Sequence, residues 1–267
     1  MANTILITGA TDGIGYETAK KLRSLGHRII VHGRNPDKLE KVITELKASG
    51  SDQNVEGILA DLSELNNVKS MAEDIARRVG KLDIIINNAG VYTTSQPTNS
   101  QGLDVRFVVN TLAPYLLTKQ LLPILSASGR VINLSSAAQA PVSLDALKGQ
   151  ATLSDSAAYA QSKLALTMWS QYLGLKHKTM GPVIVSVNPK SLLGSKMVQE
   201  AYGITGGDLK LGAEILVRAT LNEDFSQAHG AYFDNDIEAF ASPHPAAADQ
   251  HAMSQLIAAM ESILSCQ

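Results

Sequence analysis

Tyr159 and Lys163 stand four residues apart in the stretch SDSAAYAQSKLALTMWSQYLGL, residues 154–175. On an α-helix that spacing amounts to ~40° of rotation and ~6 Å of rise, so a phenol and an ammonium project from nearly one stripe. A cation beside a phenol favours its anion. Bringing a tyrosine from its ordinary pKa of about 10 to neutrality takes ~3 units, or about 4 kcal/mol of preference for phenolate, which one ammonium in a partly dry site largely supplies. Such a phenol donates or accepts a proton at physiological pH. On an arbitrary helix the same spacing is more often an exposed pair, so its meaning depends on what else the chain carries.

A second constellation lies near the amino end. The run TILIT leads into TGATDGIG and then into helix-like YETAKKLRSLG. Glycines let the backbone approach a pyrophosphate, and amides at the start of the following helix attract its charge. Gly9, Thr11, Asp12, Gly13, Ile14 and Gly15 are the candidate contacts. The spacing differs from GxGxxG and a plain turn with three glycines has the same composition, so strand before and helix after are what support the dinucleotide reading. Beyond the next apolar run comes VHGRNPDK. An acid there would hydrogen-bond an adenosine ribose as NAD requires; the chain has His32 and Arg34. The planar fork of Arg34 suits a ribose phosphate, favouring NADP with NAD as the alternative, while Asp12 adds opposing negative potential.

Elements that position these groups are legible in the apolar pattern. TILIT, RIIVH, VEGILA, LDIIIN, GRVINLS and PVIVSV are short runs rich in Val, Ile and Leu, bounded by Gly, Asn or charged residues, as expected of strands buried on both faces. Between them lie stretches of helical period. In NPDKLEKVITELKAS, Leu39, Val42, Ile43 and Leu46 share a face while Asn35 and Pro36 supply an N-cap and a first-turn proline. Alternating strand and helix predict an α/β, doubly wound parallel sheet of the Rossmann type. Ligand is then expected beyond the carboxyl ends of the strands, and one domain over residues 1–267.

The bulk numbers narrow the function. With 45% hydrophobic residues the 267-residue chain can fill a large core, and a net charge of −2 offers no basic surplus for nucleic acid. Cys266, the only cysteine, can neither staple an internal loop nor join a metal cluster, and the six histidines lack ligand spacing, so no metal is expected. A strand beginning by Thr4 and no apolar run near the ~20 residues of a bilayer span predict a cytoplasmic protein without a membrane partner.

Further motifs arrive in order: ADLS after the third strand, NNAG at Asn87 to Gly90, VVNTLAPYLLT around Asn110, and NLSS ending at Ser136, followed by Tyr159 and Lys163. Over Thr4 to about Phe240 the chain thereby resembles the short-chain dehydrogenase/reductase family. The resemblance implies Tyr159 as general acid in carbonyl reduction and base in alcohol oxidation. It implies Lys163 lowering the phenol pKa and bonding the nicotinamide ribose, Ser136 polarising the substrate oxygen, and Asn110 bending its helix and retaining a relay water. Ser136 is chosen over Ser135 because the second serine is the family's catalytic one, and strand alternation sends the two to opposite faces. Resemblance also suggests Asp61 and Leu62 near the adenine, and Asn88, Ala89 and Gly90 along the adenosine side; NNAG serves equally well to shape the strand end.

The chain departs from the family after the sixth strand. In NPKSLLGSKM, Lys190 replaces the usual glycine, and Gly194 takes the place of the threonine that meets the nicotinamide carboxamide, leaving Ser195 as substitute. Residues 191–207, with four glycines among apolar side chains, form either a lid over substrate or a surface loop; a lid favours an apolar carbonyl or alcohol, with Lys190 and Lys196 leaving room for an anionic group. The segments QGLDVRFVVNTLAPYLLTKQLLP and AYFDNDIEAFASPHPAAADQ are similar to the retinol-dehydrogenase-like branch. In the family the helices of Asn110 and Tyr159 often pair across a two-fold axis, implying a homodimer or homotetramer. Trp169 and Tyr172 on the latter helix are expected to serve core or interface packing. An NADP-sensing protein without turnover is the rival reading, weakened by the proton-donor set Asn110, Ser136, Tyr159 and Lys163.

Overall fold

The computed structural model describes residues 2–48 and 54–265; Cys266 lies outside the described residues. The strands are β1 (Thr4–Ile7), β2 (Arg28–Gly33), β3 (Val55–Leu59), β4 (Leu82–Asn87), β5 (Leu125–Leu134), β6 (Val183–Asn188), β7 (Tyr232–Asp234) and β8 (Ala239–Ala241). They form one sheet in the order β3-β2-β1-β4-β5-β6-β7-β8, parallel except for β8, which runs antiparallel to β7. The helices are α1 (Gly13–Ser24), α2 (Pro36–Ala48), α3 (Leu65–Val79), α4 (Val105–Phe107), α5 (Ala113–Leu121), α6 (Leu144–Leu147), α7 (Asp155–Lys176), α8 (Lys196–Tyr202), α9 (Leu209–Leu221) and α10 (Gln250–Ser265). Strand order reverses between β1 and β4, the switch point at which such sheets open a crevice.

Period-two alternation divides each strand between two cores. Leu6, Ile30, Ile85, Val131 and Ile184 face a core shared with α3, α5 and α7, whereas Ile5, Ile7, Val31, Ile86 and Ile132 face one shared with α2 and α9. Helix α2 starts as its sequence requires, with Lys38 N donating to Asn35 Oδ1 at 2.9 Å, and it buries Leu39, Val42 and Leu46. The six expected strands are present, β5 starting earlier, at Leu125. The short β7 and β8 are invisible to periodicity because three residues cannot display it; Phe225, Phe233 and Phe240 pack together there, and β8 covers the edge β7 would otherwise expose.

The last helix packs on α5 and α7. Met253, Leu256, Ile257 and Met260 of α10 are buried in the α5/α7 core, and Tyr115 OH and Lys119 Nζ of α5 each donate to Glu261 Oε1 at 2.5 Å. Tyr115 meets Trp169 of α7 edge-on, with centroids 5.5 Å apart. The chain's own α10 thus packs against part of the face expected to pair, while Tyr172 and Leu175 of α7 stay exposed. Among the described residues no helix is long and apolar enough to cross a membrane.

Candidate active site

Helix α7 brings the phenol and ammonium to the carboxyl end of the sheet. Its first turn is capped by the Ser154 hydroxyl, and it is buried around most of its circumference, wedged between β5, β6, α10 and the helix of Asn110. Lys163, 4% exposed, donates from Nζ to Leu134 O at 2.7 Å, at the very end of β5, with Nζ 5.7 Å from the centroid of the Tyr159 ring. Burial lowers its pKa from the ordinary lysine value to about 8. Tyr159 is half-buried and its ring meets that of Tyr92 at 4.8 Å, a neighbour that no sequence signal indicated.

Asn110 lies in a π-helical segment, Val108–Leu112, between α4 and α5. Such segments bulge a helix and recur at functional sites. Its Oδ1 accepts from Val91 N at 2.8 Å; its Nδ2 donates to Val91 O and to Ser162 Oγ, both at 2.9 Å. Ser162 Oγ in turn donates to Tyr159 O at 2.7 Å. Asn110 thus ties the segment after β4 to the Tyr159 helix. A Cβ placed on Gly90 would lie 3.4 Å from Asn110 Oδ1, 3.6 Å from Lys163 Nζ and 3.6 Å from Met197 Cε of α8. Gly90, Asn110 and Lys163 accordingly converge, with the 191–207 segment over them.

The two adjacent serines separate as alternation requires. Ser135 is buried, its Oγ 2.6 Å from Thr167 Oγ1, while Ser136 is half-exposed, its Oγ accepting from Ala138 N at 3.1 Å. Gln139 Nε2 and Tyr232 OH hold the Ser136 carbonyl at 2.9 and 3.3 Å.

Across the crevice the glycine loop adopts the left-handed backbone at Gly9 and Gly13, with φ of 62° and 57°. A Cβ on Gly13 would meet nothing within 4 Å, which leaves open space at the start of α1 for a bulky anion. Asp12 accepts from Gly13 N at 2.8 Å, so its carboxylate is used as the α1 cap. Thr11 packs its methyl group on Gly33, and Ile14 and Leu193 both lie against Gly212. Gly15 is pressed between Gly9 and Asn88, whose Nδ2 donates to Thr8 O and Gly9 O at 2.9 Å each; Asn88 N and Ala89 N bond Thr8 Oγ1. Of the two readings of NNAG, shaping the strand end is the one with these side-chain contacts behind it. Arg34 is exposed just past β2 and makes no ion pair among the described residues. Asp61 is exposed, with its Oδ1 engaged by Ser63 N and Oγ, and Leu62 is a core residue that offers a ligand chiefly backbone.

His32 plays a part that its sequence position did not reveal. Its Nδ1 accepts from Gly9 N at 3.1 Å and its Nε2 lies 3.1 Å from Ala60 O, so the neutral ring, with the proton on Nε2, staples the glycine loop to the end of β3. Burial lowers its pKa to about 4. Because the folded value lies below the unfolded one, this group's stabilisation is complete above about pH 6.5 and is lost as pH falls toward 4, at most about 3 kcal/mol. Urea unfolding at pH 7 and pH 5 should show a wild-type loss that His32→Gln, already weakened at pH 7, largely lacks.

The segment after β6 carries the backbone cost of its departure from glycine. Lys190 has φ of 119° and Leu192 of 52°, and the conformation is held by Asp236, which accepts from Ser191 N at 2.9 Å, Ser191 Oγ at 2.5 Å and Asn188 Nδ2 at 2.9 Å. Burial pushes the Asp236 carboxyl up, but those bonds and Lys190 outweigh it and hold it below its usual range. Lys190→Gly is therefore expected to raise stability by about 1 kcal/mol, read as a higher urea midpoint at unchanged slope. Ser195 caps α8, accepting from Val198 N at 3.2 Å, which leaves its hydroxyl proton as the group that could meet a ligand. The neck of the segment is pinched, Gly194 N bonding Gly207 O at 2.7 Å and Gly207 N bonding Leu192 O at 2.8 Å.

A family model of short chain dehydrogenases matches residues 3–202. Human retinol dehydrogenase 13 is 29% identical over 95% of this chain and 82% of its own, and mouse retinol dehydrogenase 12 is 32% identical over 86% and 77%. Human polyprenol dehydrogenase is 37% identical over 63% of this chain, which spans about half, 53%, of that relative. Among solved structures, a Mycobacterium paratuberculosis protein superposes with a TM-score of 0.80 at 25% identity, covering 97% of this chain and 92% of the other. A Shigella flexneri protein described as a short chain dehydrogenase complexed with NADP gives 0.69 at 26%, covering 87% and 96%. Sequence similarity that follows the whole crevice-forming half of the sheet, together with a shared fold over nearly every residue, has one reading: the chain belongs to the short chain dehydrogenase family, in its retinol-dehydrogenase-like branch, and is an NAD(P)-dependent oxidoreductase of CH–OH and C=O groups.

Proposed function

We propose that the protein interconverts an apolar carbonyl compound and its alcohol with NADP(H), Tyr159 giving the proton in reduction and taking it in oxidation. The observation that carries this reading is the buried Lys163 ammonium, anchored on Leu134 O at 2.7 Å and turned toward the Tyr159 ring on the same helix stripe. A bound nicotinamide supplies or accepts the hydride. The chain's own residues do the rest. Lys163 favours the phenolate, Ser136 orients the substrate oxygen, and Asn110 with Ser162 holds the Tyr159 helix against the segment after β4. Open space at Gly13 and the first-turn amides of α1 suit the pyrophosphate; Gly9, Thr11, Ile14, Gly15, Asp61, Leu62, Asn88, Ala89, Gly90 and Ser195 complete the proposed cofactor wall.

Arg34 carries the choice of NADP, in keeping with the NADP bound by the Shigella neighbour. Retinol and polyprenol dehydrogenases act on long apolar alcohols by name, and Leu193, Met197 and Ile14 supply an apolar cover here, which supports an apolar substrate. Reaction at an alcohol or carbonyl, a cytoplasmic setting and a homodimer or homotetramer are proposed together. The test is NADPH oxidation against decanal, retinal, acetophenone and menadione, and NADP reduction against the matching alcohols. No turnover with any of them would overturn the reading. For the cofactor, fluorescence titration of Arg34→Ala should weaken NADPH by roughly 10- to 100-fold while leaving NADH nearly unchanged, the loss of one charge-assisted phosphate contact. Unaltered NADPH affinity would retire Arg34.

A further inference from the structure

Arg106 is a charged side chain with no place in the proposed chemistry, yet only 2% of it is exposed. Its guanidinium forms a two-pronged pair with Asp104, Nε to Oδ1 at 2.9 Å and Nη2 to Oδ2 at 2.7 Å, and its remaining Nη1 bonds Asp155 Oδ1. Asp104 caps α4, within the same turn as Arg106, but Asp155 opens α7. The register is informative: Arg106 precedes Asn110 by one helical turn, and Asp155 precedes Tyr159 by one turn. Two turns beyond Asp155, the next ties between these helices are Asn110 Nδ2 to Ser162 Oγ at 2.9 Å and Thr111 Oγ1 to Ser162 O at 2.8 Å. Tyr159 therefore lies between two fastenings, one ionic at residue 155 and one neutral at residue 162.

We infer that Arg106 and Asp155 are positioning residues, an ionic clasp that fixes the first turns of α7, and with them the Tyr159 phenol, relative to the Asn110 turn and the crevice. This rests on the proposed role of Tyr159. Without the clasp nothing ties the turn of α7 that precedes Tyr159 to the Asn110 helix, the other ties of this end, at Ala160, Gln161, Ser162 and Lys163, all lying after the phenol; because proton transfer is sensitive to misplacement of about 1 Å, turnover suffers before binding does. A purely stabilising ion pair would behave differently. Asp104 offers the guanidinium two bonds against one from Asp155 and also caps α4, so its loss should cost more stability, while leaving the interhelical bond in place.

The experiment compares Asp155→Asn with Asp104→Asn, using NADPH and the fastest carbonyl of the panel above. Asp155→Asn should lower kcat by roughly tenfold or more, with Kd for NADPH within about twofold of wild type and Tm close to it. Asp104→Asn should lower Tm with kcat largely kept. Asp155→Glu, which retains the charge one methylene further out, should recover much of the loss, and because Asp155 is 49% exposed it also serves should the Asn variant not fold. Unchanged kcat in Asp155→Asn, or parallel losses of kcat and Tm in both Asn variants, would overturn the clasp. Tyr159→Phe in the same assay separates the two ideas: if it keeps turnover, the proposed role of Tyr159 falls, whereas its loss beside an unaffected Asp155→Asn sinks the clasp alone.

Discussion

Tyr159→Phe is expected to lower kcat for carbonyl reduction by about a thousandfold, some 4 kcal/mol of barrier, while Kd for NADPH stays within about twofold. The substitution deletes one oxygen and its proton. The ring keeps its place against Tyr92, and the helix keeps its ties through Ser162 to Asn110 and through Lys163 to Leu134. On the proposed mechanism, what disappears is the group that neutralises the alkoxide as it forms, a contribution made only in the transition state, so kcat and kcat/KM should fall together. Stopped-flow NADPH oxidation with parallel fluorescence titration reads both quantities. Comparable losses in kcat and in cofactor affinity would mean that the hydroxyl serves binding and that another group transfers the proton.

Lys163→Met is expected to remove most turnover and yet leave the protein at least as stable as wild type at pH 7. In the folded chain burial lowers the ammonium from an ordinary value near 10.5 to about 8. At pH 7 it is charged in both folded and unfolded chains, and its burial costs up to about 3 kcal/mol. Since the folded pKa lies below the unfolded one, that cost is constant below about pH 8 and fades as pH rises toward 10.5. Methionine of similar length removes the cost, set against about 1–3 kcal/mol for leaving the Leu134 carbonyl without its donor. The wild-type reductive rate should also decline as pH rises past about 8, where Lys163 loses its charge, and the residual rate of the variant should lack that limb. Thermal melts across pH and a pH profile of kcat check the two halves. A markedly lower Tm for Lys163→Met at pH 7 would show the ammonium to be chiefly a structural anchor.

The site owes its legibility to local spacing. Four residues of helix suffice to align Tyr159 with Lys163, glycines between strand and helix suffice to mark the left-handed turn at Gly9 and Gly13, and alternation past a strand end suffices to divide Ser135 from Ser136; each is a relation within a few residues, which chain stereochemistry enforces. The alternation of apolar runs and helical stretches likewise determined a doubly wound sheet through its first six strands. Tertiary structure alone decided relations between segments distant in sequence. His32 is an ordinary histidine until Gly9 and Ala60 close on its two nitrogens; Arg106 is an ordinary charge until Asp155, 49 residues on, meets it; and Tyr115 is an ordinary tyrosine until Glu261 of α10, 146 residues on, accepts its hydroxyl proton. Burial and long-range pairing set the pKa of a lysine or the use of a surface, and both depend on which residues the folded sheet and helices bring together, a property no local window of the chain contains.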